Sequence, residues 1–135
     1  MGTKLNPYLN FRDGTREVME FYASVFGGTP VVSTFAEAGG MGLDEAEHGK
    51  VMHSQLDTDG GLTLMAADVP THMDVSRNGT ISLSGDDEAE LRGYYDRLAA
   101  GGTVGVPLEK APWGDTFGMC TDRFGVDWMV NITAG

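Results

Sequence analysis

His53, Gln55 and Asp57 stand at alternate positions in VMHSQLD, residues 51–57. Alternation of this kind puts every second side chain on one face of a strand, so an imidazole, an amide and a carboxylate share that face. His53 supplies an imidazole, the side-chain type most used in general acid–base work, and that is the most concrete chemistry it could do. The plainer reading is a histidine bonded structurally within the sheet. His48 lies beside Glu45 and Glu47 in a loop rich in glycine and acid, and His72 lies in a polar connecting segment. Both are expected in solvent, and one histidine with a glutamine is too sparse a donor set for a metal.

The remaining chemistry-bearing types are few. Cys120 is the single cysteine, so no internal disulfide can form, which fits a reducing compartment. With Arg123 as its nearest cation in sequence, the thiol is expected to be buried and inert. Ser54, Ser82 and Ser84 lack the strand-to-helix glycine context of a nucleophile elbow. Met52, Met65, Met119 and Met129 fall on expected strands. Methionine makes adaptable apolar walls, so these four read either as core or as the lining of a ligand cavity. Trp113, Phe117 and Trp128 could offer flat contacts to a ring or acyl group.

The elements that must position these residues follow from periodicity. Leu5 to Phe11 alternates as a strand, and Asp13-Gly14-Thr15 breaks it, with Thr15 as the expected N-cap of a helix over 16–26. Val18, Phe21, Tyr22, Val25 and Phe26 give that helix one apolar stripe, and Gly27-Gly28 ends it with a left-handed glycine. Strands are expected at 30–36, 50–57 and 61–67, with a mobile loop between the first two. The order then repeats. A strand at 79–85 leads to Asp87 and Glu90, which form a capping-box-like start. Leu91, Tyr94, Tyr95, Leu98 and Ala99 make a second stripe, Gly101-Gly102 stops the helix, and strands follow at 103–108, 114–121 and 127–132.

The two stripes match at an offset of 73 positions (18 to 91), and each is followed by two glycines and three strands. Internal repetition fixes architecture before any motif does. The chain therefore reads as α+β, one domain of two tandem βαβββ units over 1–69 and 79–135, joined by a linker at 70–78. Composition agrees with a soluble globular protein: 41% hydrophobic and 21% charged residues. Nine Lys and Arg against twenty Asp and Glu give a net charge of -11, which argues against nucleic acid as a partner. The same balance suits a cationic or amphipathic small molecule, or serves solubility alone. No apolar run approaches the ~20 residues that span a bilayer, and the start MGTKLN lacks a signal-peptide core and the myristoylation pattern. A cytoplasmic protein without membrane partners is expected.

PYLNF at 7–11, EFYASVFGG at 20–28, VMHSQL at 51–56, LAAGGTVGVPLE at 98–109 and WGDTFGMCTDRFGVDWMVNI at 113–132 carry a resemblance spanning nearly the whole chain. With these residues the sequence resembles the PhnB-like family of the vicinal oxygen chelate superfamily, the glyoxalase, bleomycin-resistance and dioxygenase group. The resemblance implies paired units whose sheets form a cupped mixed sheet around a ligand. Metal-using members draw ligands from the first strand of each unit and a glutamate from each last strand. Carried over from the helices, those positions fall near Pro7, Thr80, Met65 and Met129, none of which suits a hard or borderline divalent ion. A slip of one residue brings in Asn6 or Tyr8, and Val130 or Trp128, and does not restore the set. No metal and no cofactor are therefore expected. Some PhnB-like members carry a name implying methylation of a ubiquinone precursor. The chain has no glycine-rich strand-to-helix loop with an acid about 20 positions on, so that activity is unsupported.

On this reading Tyr8, His53, Gln55 and Met65 line the ligand site from the first unit. Trp113, Phe117, Met129 and Asn131 line it from the second, and the assembly is a homodimer. Three functions compete. The first is a metal-free small-molecule binding protein of the glyoxalase and bleomycin-resistance type. The second is an enzyme of the same cup using His53, a glyoxalase-like lyase or isomerase or a dioxygenase relative. The third is a structural or regulatory interaction protein.

Overall fold

A computed structural model describes residues 2–134. The chain divides into two compact units, Met1–Arg77 and Asn78–Gly135. The first holds β1 (Tyr8–Phe11), α1 (Thr15–Phe26), β2 (Val31–Thr34), β3 (Val51–Asp57) and β4 (Thr63–Asp68). The second holds β5 (Ile81–Gly85), α2 (Glu88–Ala99), β6 (Thr103–Lys110), β7 (Thr116–Thr121) and β8 (Asp127–Ile132). Each unit makes its own four-stranded sheet, in the orders β1-β4-β3-β2 and β5-β8-β7-β6. In each, the strand before the helix pairs in parallel with the last strand and the other pairings are antiparallel. The α+β class and the βαβββ order of each unit are as the sequence predicts.

Both central hairpins close by the same device. In the first, Thr58 N donates to Leu62 O at 2.8 Å, Gly61 N donates to Thr58 O at 3.1 Å, and Leu62 N donates to Thr58 Oγ1 at 2.9 Å. In the second, Asp122 N donates to Val126 O at 2.8 Å, Gly125 N to Asp122 O at 3.0 Å, and Val126 N to Asp122 Oδ1 at 3.1 Å. The two loops lie 64 positions apart (58 to 122). Asp122 goes further than Thr58: Phe124 N donates to Oδ1 at 2.9 Å and Trp128 Nε1 to Oδ2 at 2.9 Å. That last bond lets an indole be wholly buried without an orphaned donor, since Trp128 is 0% exposed.

One face of each sheet packs under its helix. Val18, Met19, Tyr22, Val25 and Phe26 of α1 are buried with Leu9, Leu56, Leu64 and Ala66. Leu91, Tyr94, Tyr95 and Leu98 of α2 are buried with Cys120, Trp128, Val130 and Ile132. Tyr95 keeps its hydroxyl satisfied by donating to Val106 O at 2.8 Å and Met119 O at 3.2 Å. The glycines after the helices are required by packing. A Cβ on Gly28 would sit 2.3 Å from Asp57 O, and one on Gly102 would sit 2.1 Å from Thr121 O. These are the same contact in the two units.

Several local expectations are corrected. Thr15 is the first helical residue, not the cap; the position before it is Gly14, with no side-chain cap. The orphan donors are met from across the unit, where buried Asp68 Oδ1 accepts from Thr15 N at 3.0 Å and Thr15 Oγ1 at 2.6 Å. Asp68 Oδ2 also accepts from Val51 N at 2.8 Å, so one carboxylate ties β4 to α1 and β3. Gly27 has φ 84 but ψ 173, an extended exit in place of the left-handed cap. At α2 the cap is as expected, Asp87 accepting from Glu90 N at 3.1 Å. The reciprocal half of the box is absent because Glu90 accepts from Tyr94 Oη at 2.5 Å. The first strand starts at Tyr8, leaving Leu5 99% exposed. The acidic loop after β2 is no loose excursion: Ala36 N donates to His48 O, Gly40 N to Phe35 O, and Thr34 N to the Glu37 carboxylate. The predicted linker is tied at its start, with Arg12 donating to Pro70 O and Met73 O, each at 2.8 Å.

The Asp122 clamp makes a graded prediction. Asp122→Ala leaves buried donors without an acceptor and is expected to cost roughly 2–4 kcal/mol, at ~1–3 kcal/mol for such a group. Asp122→Thr, which copies the first unit's clamp but abandons Trp128 Nε1, is expected to fall between wild type and Ala. Urea denaturation midpoints check the order, and equal stability of Asp122→Ala and wild type would refute the clamp.

Candidate functional site

Side chains that face one another across paired strands share a sheet face. On the face of the first sheet away from α1, Tyr8, Met65, Gln55 and Val31 form one continuous rung. His53 pairs with Ser33 on the same face. The Tyr8 hydroxyl lies 3.5 Å from His53 Nδ1, with the rings 5.9 Å apart and tilted by 33°. Gln55 Nε2 donates to both Asp57 oxygens at 3.1 Å, and Thr63 Oγ1 donates to Oδ1 at 2.9 Å. Those donors, first Gln55 and then Thr63, hold the Asp57 carboxyl below the usual range. All four residues predicted from the first unit therefore meet on this one face. Tyr8 is 47% exposed, while His53, Gln55 and Met65 are half-buried.

The second sheet repeats the arrangement with different chemistry. Away from α2, one rung reads Ser84, Asn131, Phe117, Glu109 and the next reads Ser82, Met129, Met119, Val106. Trp113, in the β6–β7 turn, sets its ring edge-on to Phe117, with centroids 5.7 Å apart at 64°. Asn131 Nδ2 donates to Asp115 Oδ2 at 3.0 Å and Ala134 N donates to Asp115 Oδ1 at 3.0 Å. These bonds, that of Asn131 foremost, keep the Asp115 carboxyl low. The four predicted residues of this unit again share one face. Met119, read from the sequence as core or cavity lining, lies on the same face, and Asp115, which the sequence reading does not single out, joins it through Asn131.

Other sequence expectations fare differently. Trp128 cannot stack on a ligand, because it lies on the helix side, fully buried, with its N–H on Asp122. His48 is not a solvated loop residue; it is half-buried, with Nε2 3.0 Å from Leu43 O, packed where any side chain on Gly40 would collide with it. His72 is exposed and lines a shallow recess with Met41, Leu43, Asp44, Glu47 and Thr71. There Glu47 accepts from Thr71 N at 2.8 Å and pairs with Lys50 at 2.9 Å. Hydrogen bonding from Thr71, then from Lys50, lowers its carboxyl to about 2. Cys120 is buried as expected, and burial, with Asp122 and Asp127 nearby, pushes its thiol up to about 11.

A divalent metal of the kind the resemblance brings to mind does not fit the donors present. Met65 stands opposite Tyr8 and Met129 opposite Ser82, both on helix-free faces, and a thioether is a poor ligand for hard ions. Among the described residues, no three His, Cys, Asp or Glu side chains are grouped to hold one.

Comparison with known proteins follows this geometry. Residues 4–130 match the Glyoxalase/Bleomycin resistance protein/Dioxygenase superfamily. Protein YjdN of Escherichia coli strain K12 is 25% identical over 138 residues, covering 95% of this chain and 94% of its own. The crystal structure of PA1353 from Pseudomonas aeruginosa is 35% identical with a TM-score of 0.81, covering 97% of this chain and 98% of that one. The PhnB protein of Bacillus cereus superposes with a TM-score of 0.72 at 24% identity, covering 97% and 100% of the two chains.

The buried thiol gives a prediction of pH dependence. Cys120 and Tyr94 both hold their protons more tightly when folded, Cys120 to about 11 and Tyr94 to about 12, in each case chiefly through burial. Their contribution is complete below the unfolded values of 9.0 and 10.0 and is lost as pH rises through the folded ones. The thermal midpoint should fall between about pH 9 and 11, with Cys120→Ala removing the earlier part of the fall. At pH 8 a thiol reagent should label Cys120 only at the unfolding rate. A flat midpoint up to pH 11, or prompt labelling of folded protein, would contradict this.

Proposed function

Because the chain belongs to the glyoxalase/bleomycin resistance protein/dioxygenase superfamily, we propose that it is a small-molecule binding protein that works without the superfamily's metal ion. Its ligand-contacting surfaces are the helix-free faces of the two sheets. The observation that carries this reading is the contrast between the two sides of each sheet. The helix side is sealed with buried apolar residues, whereas the other side sets out half-buried polar, aromatic and thioether groups. Such a mixture of apolar wall and few directed polar groups is what a small-molecule site needs. On this proposal Tyr8, His53, Gln55 and Met65 contact ligand in the first unit, and Trp113, Phe117, Met129 and Asn131 in the second. Met65 and Met129 stand where the resemblance calls for glutamate, which supports binding by contact area and hydrogen bonds alone. The reading includes a cytoplasmic homodimer, on the lone thiol and the resemblance.

The approach of the Tyr8 hydroxyl to His53 Nδ1 supports a second reading, in which His53 is the acid–base group of a reaction on the same face. Proton transfer would then involve the imidazole, with Tyr8 fixing its ring.

A thermal-shift screen of small molecules tests the first reading. A ligand at a hundredfold excess over Kd should stabilise by about 2.7 kcal/mol, and Gln55→Ala or Met129→Ala should weaken it while leaving the free protein's midpoint nearly unchanged. A library that stabilises nothing would remove the reading. Elemental analysis of protein purified without chelator should find no stoichiometric Ni, Zn, Mn or Fe; one equivalent of any of them refutes the metal-free claim. For any substrate that is turned over, His53→Ala should abolish turnover yet keep ligand binding, and surviving turnover would end the acid–base role.

A further inference from the structure

The second unit's helix-free face combines a rigidly presented aromatic pair with an excess of negative charge. The β6–β7 connection closes through Ala111 N to Asp115 O at 2.7 Å, and a turn inside it closes through Gly114 N to Ala111 O at 3.0 Å. Pro112 fixes the backbone at the turn's second position, and Gly114 takes φ 102, which a side chain would resist. Trp113 between them is 63% exposed, its ring braced on Phe117. A large ring held in place before a ligand arrives loses little freedom on binding.

The charge on this face has one sign. Glu109 stands opposite Phe117 and Asp127 opposite Thr121, and Asp115 is joined to Asn131 of the same rung. No Lys or Arg occupies these rungs; Lys110, the one cation of β6, pairs with Thr116 and so points to the other side. Asp115 is half-buried and receives one bond on each oxygen, which fixes its direction and leaves each oxygen able to accept another. An anionic ring stacked on Trp113 would meet Asp115, with Glu109 on the rung of Phe117 and Asp127 farther along the same face, and a sugar would find few donors. A flat cation satisfies both the exposed Trp113 ring and the acids.

We propose that this face binds a planar aromatic cation, stacked on the Trp113 ring with Phe117 set edge-to-face beside it and held by the Asp115 carboxylate. The inference rests on the small-molecule reading above and narrows it to a ligand class. Asp115 is the specificity group, and Met119 and Met129 form the adaptable floor beside the rings.

Isothermal titration calorimetry with two probes of the same tricyclic shape tests it: proflavine, a cation, and acridone, which is neutral. Proflavine should bind, and acridone should bind at least about tenfold more weakly. Trp113→Ala should weaken proflavine roughly tenfold; the residue is exposed in a turn, so the variant keeps its fold. Asp115→Asn retains an acceptor for Ala134 N, and should weaken proflavine by a similar factor while leaving acridone unchanged. Rising ionic strength should weaken proflavine alone. Should Asp115→Asn shift the thermal midpoint, Glu109→Gln with the salt series supplies the electrostatic test independently. Equal affinity for the two probes, full proflavine affinity in Trp113→Ala, or no proflavine binding at all would each overturn the proposal. A screening compound that binds while proflavine does not would end this inference alone. Failure of every compound would end the binding reading as well.

Discussion

The register of each central hairpin turns on a single residue, Thr58 in the first unit and Asp122 in the second, through its backbone and its side chain together, and the division of each sheet into two faces depends on it. A strand slipped by one residue turns every side chain to the opposite face. The clamp forbids that slip by fixing which backbone groups meet at the loop, through the three bonds that each residue makes there. From that start the pairing runs Asp57 to Thr63 and Thr121 to Asp127, and the rungs above follow in step. In both first rungs an aspartate accepts from a threonine, at 2.9 Å and 2.6 Å, with the two residue types exchanged between strands. The interaction survives the exchange because it needs only one donor and one acceptor on opposite positions.

The repeat therefore conserves backbone geometry between the units while the exposed chemistry differs. At the offset of 64 (57 to 121), His53 corresponds to Phe117, Gln55 to Met119 and Met65 to Met129. The first face is polar, with an imidazole, a phenol and an amide; the second is thioether and aromatic. The helix side shows the opposite behaviour. Leu56 and Cys120, Leu64 and Trp128, and Ala66 and Val130 are all buried, because close packing under a helix excludes polar groups that lack partners. Where a large polar-tipped residue does enter, as Trp128 does, the clamp must be an aspartate and not a threonine. Thr58 has one side-chain oxygen for one hairpin donor, whereas Asp122 has two oxygens and serves the hairpin and the indole together.

Much of this was legible in the sequence because it is periodic. The helical stripes, the paired glycines and the alternation from Val126 to Ile132 gave the element order and the last strand, Asp127–Ile132, to the residue. The same alternation puts His53 with Gln55, and Met129 with Asn131, on one face of their strands, as the pairing has them. What escaped is nonlocal or competitive. Thr15 is a good N-cap by type, yet Asp68, 53 positions away, supplies the acceptor, and no local pattern announces that. Trp128 alternates with Val126, Val130 and Ile132, which puts it on the helix side as observed, but no local pattern shows that its N–H is committed to Asp122. His48 lies in a segment of loop composition, and only its contacts to Leu43 and Gly40 show that it fastens the loop. Asp115 precedes β7 by one position, and an acid after Trp-Gly reads as turn punctuation; only its bonds with Asn131 and Ala134 join it to this face.

The methionines at 65 and 129 have a physical consequence for any site on these faces. A half-buried glutamate at either position would carry a desolvation cost, recovered only by a cation or a set of donors. Around Met65 the described partners are Tyr8 and Gln55, and around Met129 they are Ser82 and Met119. None of these carries a positive charge. A carboxylate there would thus have to recover its cost from hydrogen-bond donors such as Tyr8, Gln55 or Ser82, or from a metal ion as the resemblance implies. Methionine, neutral and polarizable, carries no such cost. On the proposed function, selection would rest on shape, on stacking and on the charge of groups at the margin, such as Asp115, whose cost is already offset by Asn131 and the backbone of Ala134.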